Sequence, residues 1–436
     1  MTTSPSADCP LLVLVRSSPA RAYREYLLRT IAPRFRLWLL HDQEPTWERR
    51  YLVGHTVVDT TDSAAMAAAG RSVGPAGVLC WDEPRIVAAA EVAQALGLPG
   101  NPPDVIRRCR DKQQTRSALA AAGVPQPASI PARTLTEVRA AAGRIGYPLV
   151  IKPRALNGSR GVARIDRPAD LERGLRNATG AATPDVVDEE RAGVLVEEYV
   201  DGPEVSVDTA IWDGDAAVGF VARKELGFPP YFEEVGHVVD GRDALLADTA
   251  LRDMVQAVHA AVGFRTGWTH SEFRLTSAGP RLIEINARLG GDRIPYLAQL
   301  ALGIEPGTIA ATIACGSLPS IAPSRRRVAG VRFVYPAEDT LVRSVHVDDA
   351  LLPPEVDSVE TLVLPGQEAR LPPSGHVTGR LALITAVADS GARCSEVLDA
   401  AGRAITVEPL GRRGRRDREA ARSQSRSTRR EPASGR

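Results

Sequence analysis

Apolar residues fall in short runs along most of this chain, and their spacing changes from segment to segment. The runs 11-LLVLV-15 and 77-GVLCW-81 are apolar at nearly every position. Runs of that length suit strands buried on both faces, as in a parallel sheet. The segment 84-PRIVAAAEVAQALG-97 is apolar at helical spacing, with Pro84 at its start and Gly97 at its end. Strand and helix therefore alternate to about residue 105, which predicts βαβ organisation. The proline-rich turn 98-LPGNPPD-104 closes this unit.

Beyond it, 105-VIRRCRDKQQTRSALAAAG-123 reads as one helix ending at Gly123. The segment 134-TLTEVRAAAGRIG-146 reads as a helix opened by a capping box of Thr134 and Glu137. A strand, 148-PLVIKP-153, a polar loop, 154-RALNGSRG-161, and a strand, 162-VARI-165, follow, with a helix near 168–177. The segment 193-GVLVEEYVDGPEVSVDTAIW-212 holds two strands around a Gly-Pro turn. Residues 249–262 are helical, 268-WTHSEFRL-275 and 281-RLIEINAR-288 are strands, and 293-RIPYLAQLALG-303 begins a helix. Residues 321–411 form a smaller β-rich unit. The Arg/Ser-rich tail, 412–436, is too poor in apolar residues to fold.

The strands on either side of 276-TSAGP-280 have an unusual polar pattern. Alternate residues of a strand share a face. A three-residue turn with Gly279 in the left-handed position sets Glu272 opposite Glu284 and His270 opposite Asn286. Phe273, Leu275, Ile283 and Ile285 then form the apolar side. Two carboxylates facing each other across a strand pair repel. Magnesium resolves the conflict, because it takes a few protein oxygens and completes its shell with phosphate and water. A solvated hairpin face is the ordinary alternative, and a one-residue slip would remove the pairing.

Composition narrows the classes. The chain has 436 residues, 44% hydrophobic and 25% charged, with a net charge of +1. That length suggests roughly two to four domains, and the charge gives no reason to expect nucleic acid or an anionic membrane. The five cysteines are scattered without a C-x-x-C pair, which fits a reducing cytoplasm and no structural zinc. The run 11–15 is too short for a signal core, and no window suits a transmembrane helix.

Two further segments bear on phosphate and nucleotide. In 151-IKPRALNGSRGV-162 a strand ends on Lys152 and a loop with Ser159 and Gly161 follows. Its backbone amides could close over phosphates, although a surface hairpin accounts for it equally well. In 197-EEYVDGPEVSVD-208 an apolar strand ends on Glu197 and Glu198, passes Val200 and reaches Glu204. An acidic hairpin is the better account from spacing alone. Lys112 by itself reads as an exposed helix lysine.

Taken in order, helix lysine, strand lysine with a Gly/Ser loop, E-E-x-V hinge, and Glu272 before 284-EINAR-288 resemble the ATP-grasp superfamily across roughly residues 1–315. The segments 268–295 and 223-RKELGFPPYFEEVGHVVD-240 look like its L-amino acid ligase branch, the dipeptide-synthase type of carboxylate–amine ligase. The resemblance implies an α/β (α+β) ATP-grasp fold: a Rossmann-like domain at 1–105, an ATP-grasp domain at 106–320 with its lid at about 134–200, and a β-rich domain at 321–411. It implies ATP phosphate contacts at Lys112, Lys152, Ser159 and Gly161, adenine contacts at Glu197, Glu198 and Val200, and ribose at Glu204. Glu272, Glu284 and Asn286 would hold Mg²⁺, in two ions, with Mn²⁺ as a substitute. Arg288 would be the catalytic residue, stabilising an acyl phosphate and the tetrahedral intermediate. Glu234, His237, His270, Gly290, Gly291 and Asp292 would face the substrates, with 225–237 as a gating loop, His270 as a candidate acceptor of the amine proton, and Gly290-Gly291 as a close backbone approach. The implied activity is ADP-forming amide-bond ligation between an amino acid carboxylate and an amine; a carboxylase- or purine-biosynthesis-type enzyme of the same superfamily is the alternative. Small-molecule partners, no nucleic acid, no membrane, a cytoplasmic location and a homodimer are in keeping with it.

Overall fold

The structure is a computed structural model and describes residues 6–18, 20–181 and 193–410. The tail expected to be disordered, 412–436, lies outside the described residues. The N-terminal unit is a four-stranded parallel sheet in the order Leu52–Val57, Arg36–His41, Leu11–Val15, Gly77–Leu79. Leu12 and Leu14 pack on one side of it, and Val13 and Val15 on the other. Burial on both sides is why that run shows no alternation.

The expected helix over 105–123 is two helices, Pro103–Arg110 and Lys112–Ala121. Asp111 breaks the run. Its backbone is extended, and its carboxylate accepts from the Gln113 amide at 2.9 Å, capping the second helix. Arg154 holds the same carboxylate. Lys112 thus becomes the first residue of a helix, aimed inward rather than exposed.

The lid is a four-stranded antiparallel sheet in the order Ser129–Ala132, Val194–Glu198, Leu149–Pro153, Ala163–Ile165. Helices Leu135–Ile145 and Leu171–Gly180 cover one face of it. The capping box of Thr134 and Glu137 is present. The chain then crosses from Glu198 to Glu204 into a different sheet, so the Gly-Pro turn joins two sheets and is not a hairpin.

That second sheet has eight antiparallel strands in the order Gly279–Asn286, Gly267–Thr276, Glu204–Trp212, Asp215–Gly227, Glu233–Asp240, Val328–Val334, Ala382–Ala388, Val356–Thr361. Helix Thr249–Val262 packs on one side, and helices Ile294–Leu302 and Pro306–Ala314 pack on the other. The sheet runs without interruption past residue 320, because Val328–Val334 pairs with Glu233–Asp240. A small sheet of Glu368–Ala369, Thr340–Val347 and Ile405–Pro409 completes the C-terminal region. No single described helix is long and apolar enough to cross a membrane.

Candidate active site

A cavity of about 860 Å³ opens where the lid, the eight-stranded sheet and the N-terminal unit meet. Its walls include Lys152 and Ser159 from the lid, Glu198 and Val200 from the crossing, and Glu272, Glu284, Asn286 and Arg288 from the hairpin. Tyr23 and Arg24 from the first helix and residues 373–378 from the C-terminal region close it.

The hairpin sets Glu272 opposite Glu284 and His270 opposite Asn286, as expected, but by another route. The turn is tighter than three residues, with Thr276 opposite Gly279 and Arg274 opposite Arg281. A bulge between Glu272 and Phe273 restores the expected opposition. It moves Leu282 into the core, while Ile283 faces the cavity. Arg116 holds the bulge in place. It donates to the Leu282 carbonyl at 3.3 Å and the Ile283 carbonyl at 2.8 Å.

The phosphate-type cations come next. Lys112 Nζ lies 2.8 Å from the Leu156 carbonyl and 3.2 Å from Glu284. Lys152 Nζ lies 2.6 Å from Glu197. Glu197 also accepts from Arg116 at 2.8 and 3.2 Å. Burial raises the Glu197 pKa, but Arg116 and Lys152 outweigh it and hold it at about 2. Burial holds Lys152 below its ordinary value against the pull of Glu197. The Glu197 carboxylate is therefore committed to two cations, a role the adenine assignment did not include. Glu198 accepts from Arg281 and from the Ala128 amide, and Val200 lines the cavity. Gly161 makes close packing possible: a Cβ there would sit 2.8 Å from both Ala181 Cβ and Pro153 Cγ, and its φ is +76°. Ser159, with φ +52°, lines the cavity together with Leu156, Asn157, Gly158 and Arg160.

Beneath the carboxylates lies Lys224, whose side chain is 1% exposed. Its ammonium is 2.9 Å from Glu204, 2.7 Å from Glu234 and 2.9 Å from Glu272. Burial opposes its charge, but the three carboxylates together drive its pKa well above the ordinary value. Arg274 holds Glu204 as well, at 2.8 Å. His270 Nδ1 lies 2.8 Å from Asp208, and Nε2 lies 3.5 Å from Glu272. Burial disfavours the charged ring, but Asp208 and Glu272 lift its pKa to about 9. His270 Nδ1 is thus committed to Asp208.

Of the substrate-facing candidates, Glu234, His237 and Asp292 come together within 4.8 Å. His237 is fully buried, 3.3 Å from Glu234 and 3.5 Å from Asp292, so it lies behind them rather than on the cavity wall. Burial favours the neutral ring, yet the two carboxylates raise its pKa. Arg380 grips Asp292 with two bonds of 2.8 Å. The expected gating loop at 225–237 is strand for most of its length: Asp215–Gly227 pairs with Glu233–Asp240. Its tip is fixed by aromatic contacts, Phe228 on Tyr335 and Tyr231 on His376. Gly290 approaches a side chain and not the cavity, since a Cβ there would lie 2.8 Å from His270 Nδ1. Gly291 and Asp292 line the wall. The strand ends at Asn286, so alternation does not carry Arg288. An ion pair with the buried Glu83 does, and it keeps Arg288 on the cavity.

The donor set suits a magnesium nucleotide. Glu272, Glu284 and Asn286 offer oxygen on one wall, and each carboxylate is already balanced by a lysine whose charge a cation would replace. Lys112, Lys152 and the Ser159 loop add positive charge and hydrogen-bond donors to the same cavity, as phosphates require.

Sequence reasoning passed over Lys224, Asp208, Glu83, Arg116 and Arg380. Lys224 had a signal: it extends the run 220-FVARK-224, in which Phe220, Val221 and Ala222 are buried. A lysine in such a run needs a partner. The others are paired with residues remote in sequence, and nothing local marks them.

The family model for the ATP-grasp domain matches residues 145–296. The uncharacterized protein y4rH of Sinorhizobium fredii is 31% identical over 360 residues, covering 80% of this chain and 72% of that one. Carnosine synthase 1 of Homo sapiens is 30% identical over 266 residues, covering 57% of this chain and 32% of that one, so the chain spans about a third of that relative. The crystal structure of an L-amino acid ligase from Bacillus licheniformis shares the fold, with a TM-score of 0.76 at 22% identity, covering 92% of this chain and 99% of that one. With a matched domain model, a relative aligned over most of both chains and a shared fold, the chain belongs to the ATP-grasp superfamily of ligases.

Proposed function

We propose that this ATP-grasp ligase joins the carboxylate of one amino acid to the amine of another, through an acyl phosphate, with release of ADP and phosphate. The observation that carries the reading is one cavity lined both by Lys112, Lys152 and Ser159 and by Arg288, Glu234 and Asp292. The similarity to carnosine synthase and to an L-amino acid ligase supports it.

In this reading a carboxylate oxygen of the donor attacks the γ-phosphorus and ADP leaves. The amine nitrogen then attacks the acyl carbon and phosphate leaves. Positioning and neutralisation of charge do most of the work in phosphoryl transfer. Lys112, Lys152 and Ser159 hold the phosphates, and the crossing at Glu198–Val200 receives the base. Glu272, Glu284 and Asn286 hold magnesium, which when bound neutralises the phosphates. Arg288 binds the carboxylate first and the developing oxyanion later. The amine's proton leaves with the departing phosphate. By this division of labour, 106–320 binds nucleotide and carries Arg288, Glu234 and Asp292, and residues of 1–105 and 321–411 close the cavity over the substrates.

Release of ADP and phosphate with pools of amino acids tests the reading. ADP release only when an acid and an amine are both present is the expected result. Release with bicarbonate or a ribosylamine alone would move the chain to a carboxylase- or purine-type reaction.

A further inference from the structure

The cations on the cavity wall differ in one respect. Lys112 is held by Glu284, Lys152 by Glu197, Arg274 by Glu204 and Arg288 by Glu83. Arg24 makes no ion pair among the described residues, although it lines the cavity. It projects from the first helix, Arg21–Ile31, and its Nη1 donates to the Gly290 carbonyl at 3.0 Å. Asp292 is gripped by Arg380, and Asp82, 3.4 Å from Arg16, makes no ion pair with Arg24. Burial and the neighbouring Arg288 work against the charge on Arg24, while Tyr26, Asp292 and Asp82 favour it without an ion pair. A half-buried guanidinium that lines the cavity without an ion-pair partner calls for an anion from outside the chain.

We propose that Arg24 binds the free carboxylate of the amino acid that supplies the amine. This rests on the ligase reading given above. In that reaction the donor's carboxylate is consumed at Arg288, and the phosphates lie with Lys112 and Lys152. The acceptor's carboxylate survives the reaction and needs a holder of its own. Arg24 stands on the N-terminal unit, against the Gly290 carbonyl and near Arg288. It would make the enzyme select amino acids over amines that lack a carboxylate.

The test compares an acceptor amino acid with its α-amide, for wild type and for Arg24→Met, by ADP release at saturating ATP and donor. Wild type should prefer the acid. Losing a hydrogen-bonded charge should cost Arg24→Met roughly 10- to 100-fold in kcat/KM for the acid. The amide should lose far less, so that the preference collapses, and Arg24→Lys should recover part of it. An equal loss for acid and amide would mean that Arg24 only braces Gly290, and would overturn the proposal. So would a change confined to the KM of the donor or of ATP, since the anion would then be the donor's or a phosphate. Wild type that binds ATP but releases ADP with no acid–amine pair would refute the ligase reading itself, and the assignment of Arg24 with it.

Discussion

Glu197→Gln separates two roles for a residue on the nucleotide wall. A carboxylate that reads adenine would, when neutralised, weaken ATP and leave a nucleotide with another base less affected. The structure instead commits Glu197, 3% exposed, to Arg116 and Lys152. Its pKa of about 2 lies roughly 2.5 units below the ordinary 4.5. At about 1.4 kcal/mol per unit, that is about 3 kcal/mol of stability at neutral pH. The pKa is depressed on folding, so this contribution is full above about pH 4.5 and is lost as pH falls towards 2. Urea denaturation at pH 7 should show the variant about 3 kcal/mol less stable, with the slope unchanged. At pH 3.5 the gap should be narrower by about 1 kcal/mol. In binding assays, ATP and ITP should weaken together, because Lys152 loses its anchor whatever the base. A variant within 1 kcal/mol of wild type at pH 7, or one that weakens ATP and spares ITP, would refute the reasoning.

Other perturbations address the remaining contacts. Lys224→Met leaves Glu204, Glu234 and Glu272 without their shared cation and should cost about 3–5 kcal/mol. Magnesium should raise the thermal midpoint of that variant more than that of wild type, and an equal rise would count against Lys224 as the balancing charge. Glu284→Ala should abolish ADP release, and full activity would rule out the metal assignment. Gly161→Ala should destabilise by about 1–3 kcal/mol through a positive φ and a crowded Cβ, read by thermal unfolding. Gly290→Ala drives a methyl onto His270 Nδ1 and should break its bond to Asp208, lowering kcat by at least about tenfold if His270 steadies Glu272.

The hairpin shows how far sequence reasoning reached. Alternation set Glu272 against Glu284, and the structure keeps that pairing. The turn was not legible, because a tighter turn plus a bulge gives the same opposition as a three-residue turn. What decides between them is Arg116, which takes the Leu282 and Ile283 carbonyls from 166 and 167 residues away. The parallel sheet and the capping box were legible because their determinants are local. The break at Asp111 was not, since its carboxylate is claimed by Arg154 from the lid. The same holds for Glu83 on Arg288 and for Asp208 on His270. A buried charge announces that it needs a partner, but only the fold says which one.

The grip of Arg380 on Asp292 joins residues 88 positions apart, one before the nucleotide-facing sheet turns into the C-terminal strands and one after. Asp292 lies in the wall proposed to choose the substrate, and Arg380 is buried behind it. A library that randomises residue 292 alone would strand a buried guanidinium in most of its members, and selection would return aspartate for reasons of folding. Retuning this pocket therefore means varying 292 and 380 as one unit, and any chimera with a relative should carry its exchange point outside 292–380 and not at the apparent domain boundary near 320.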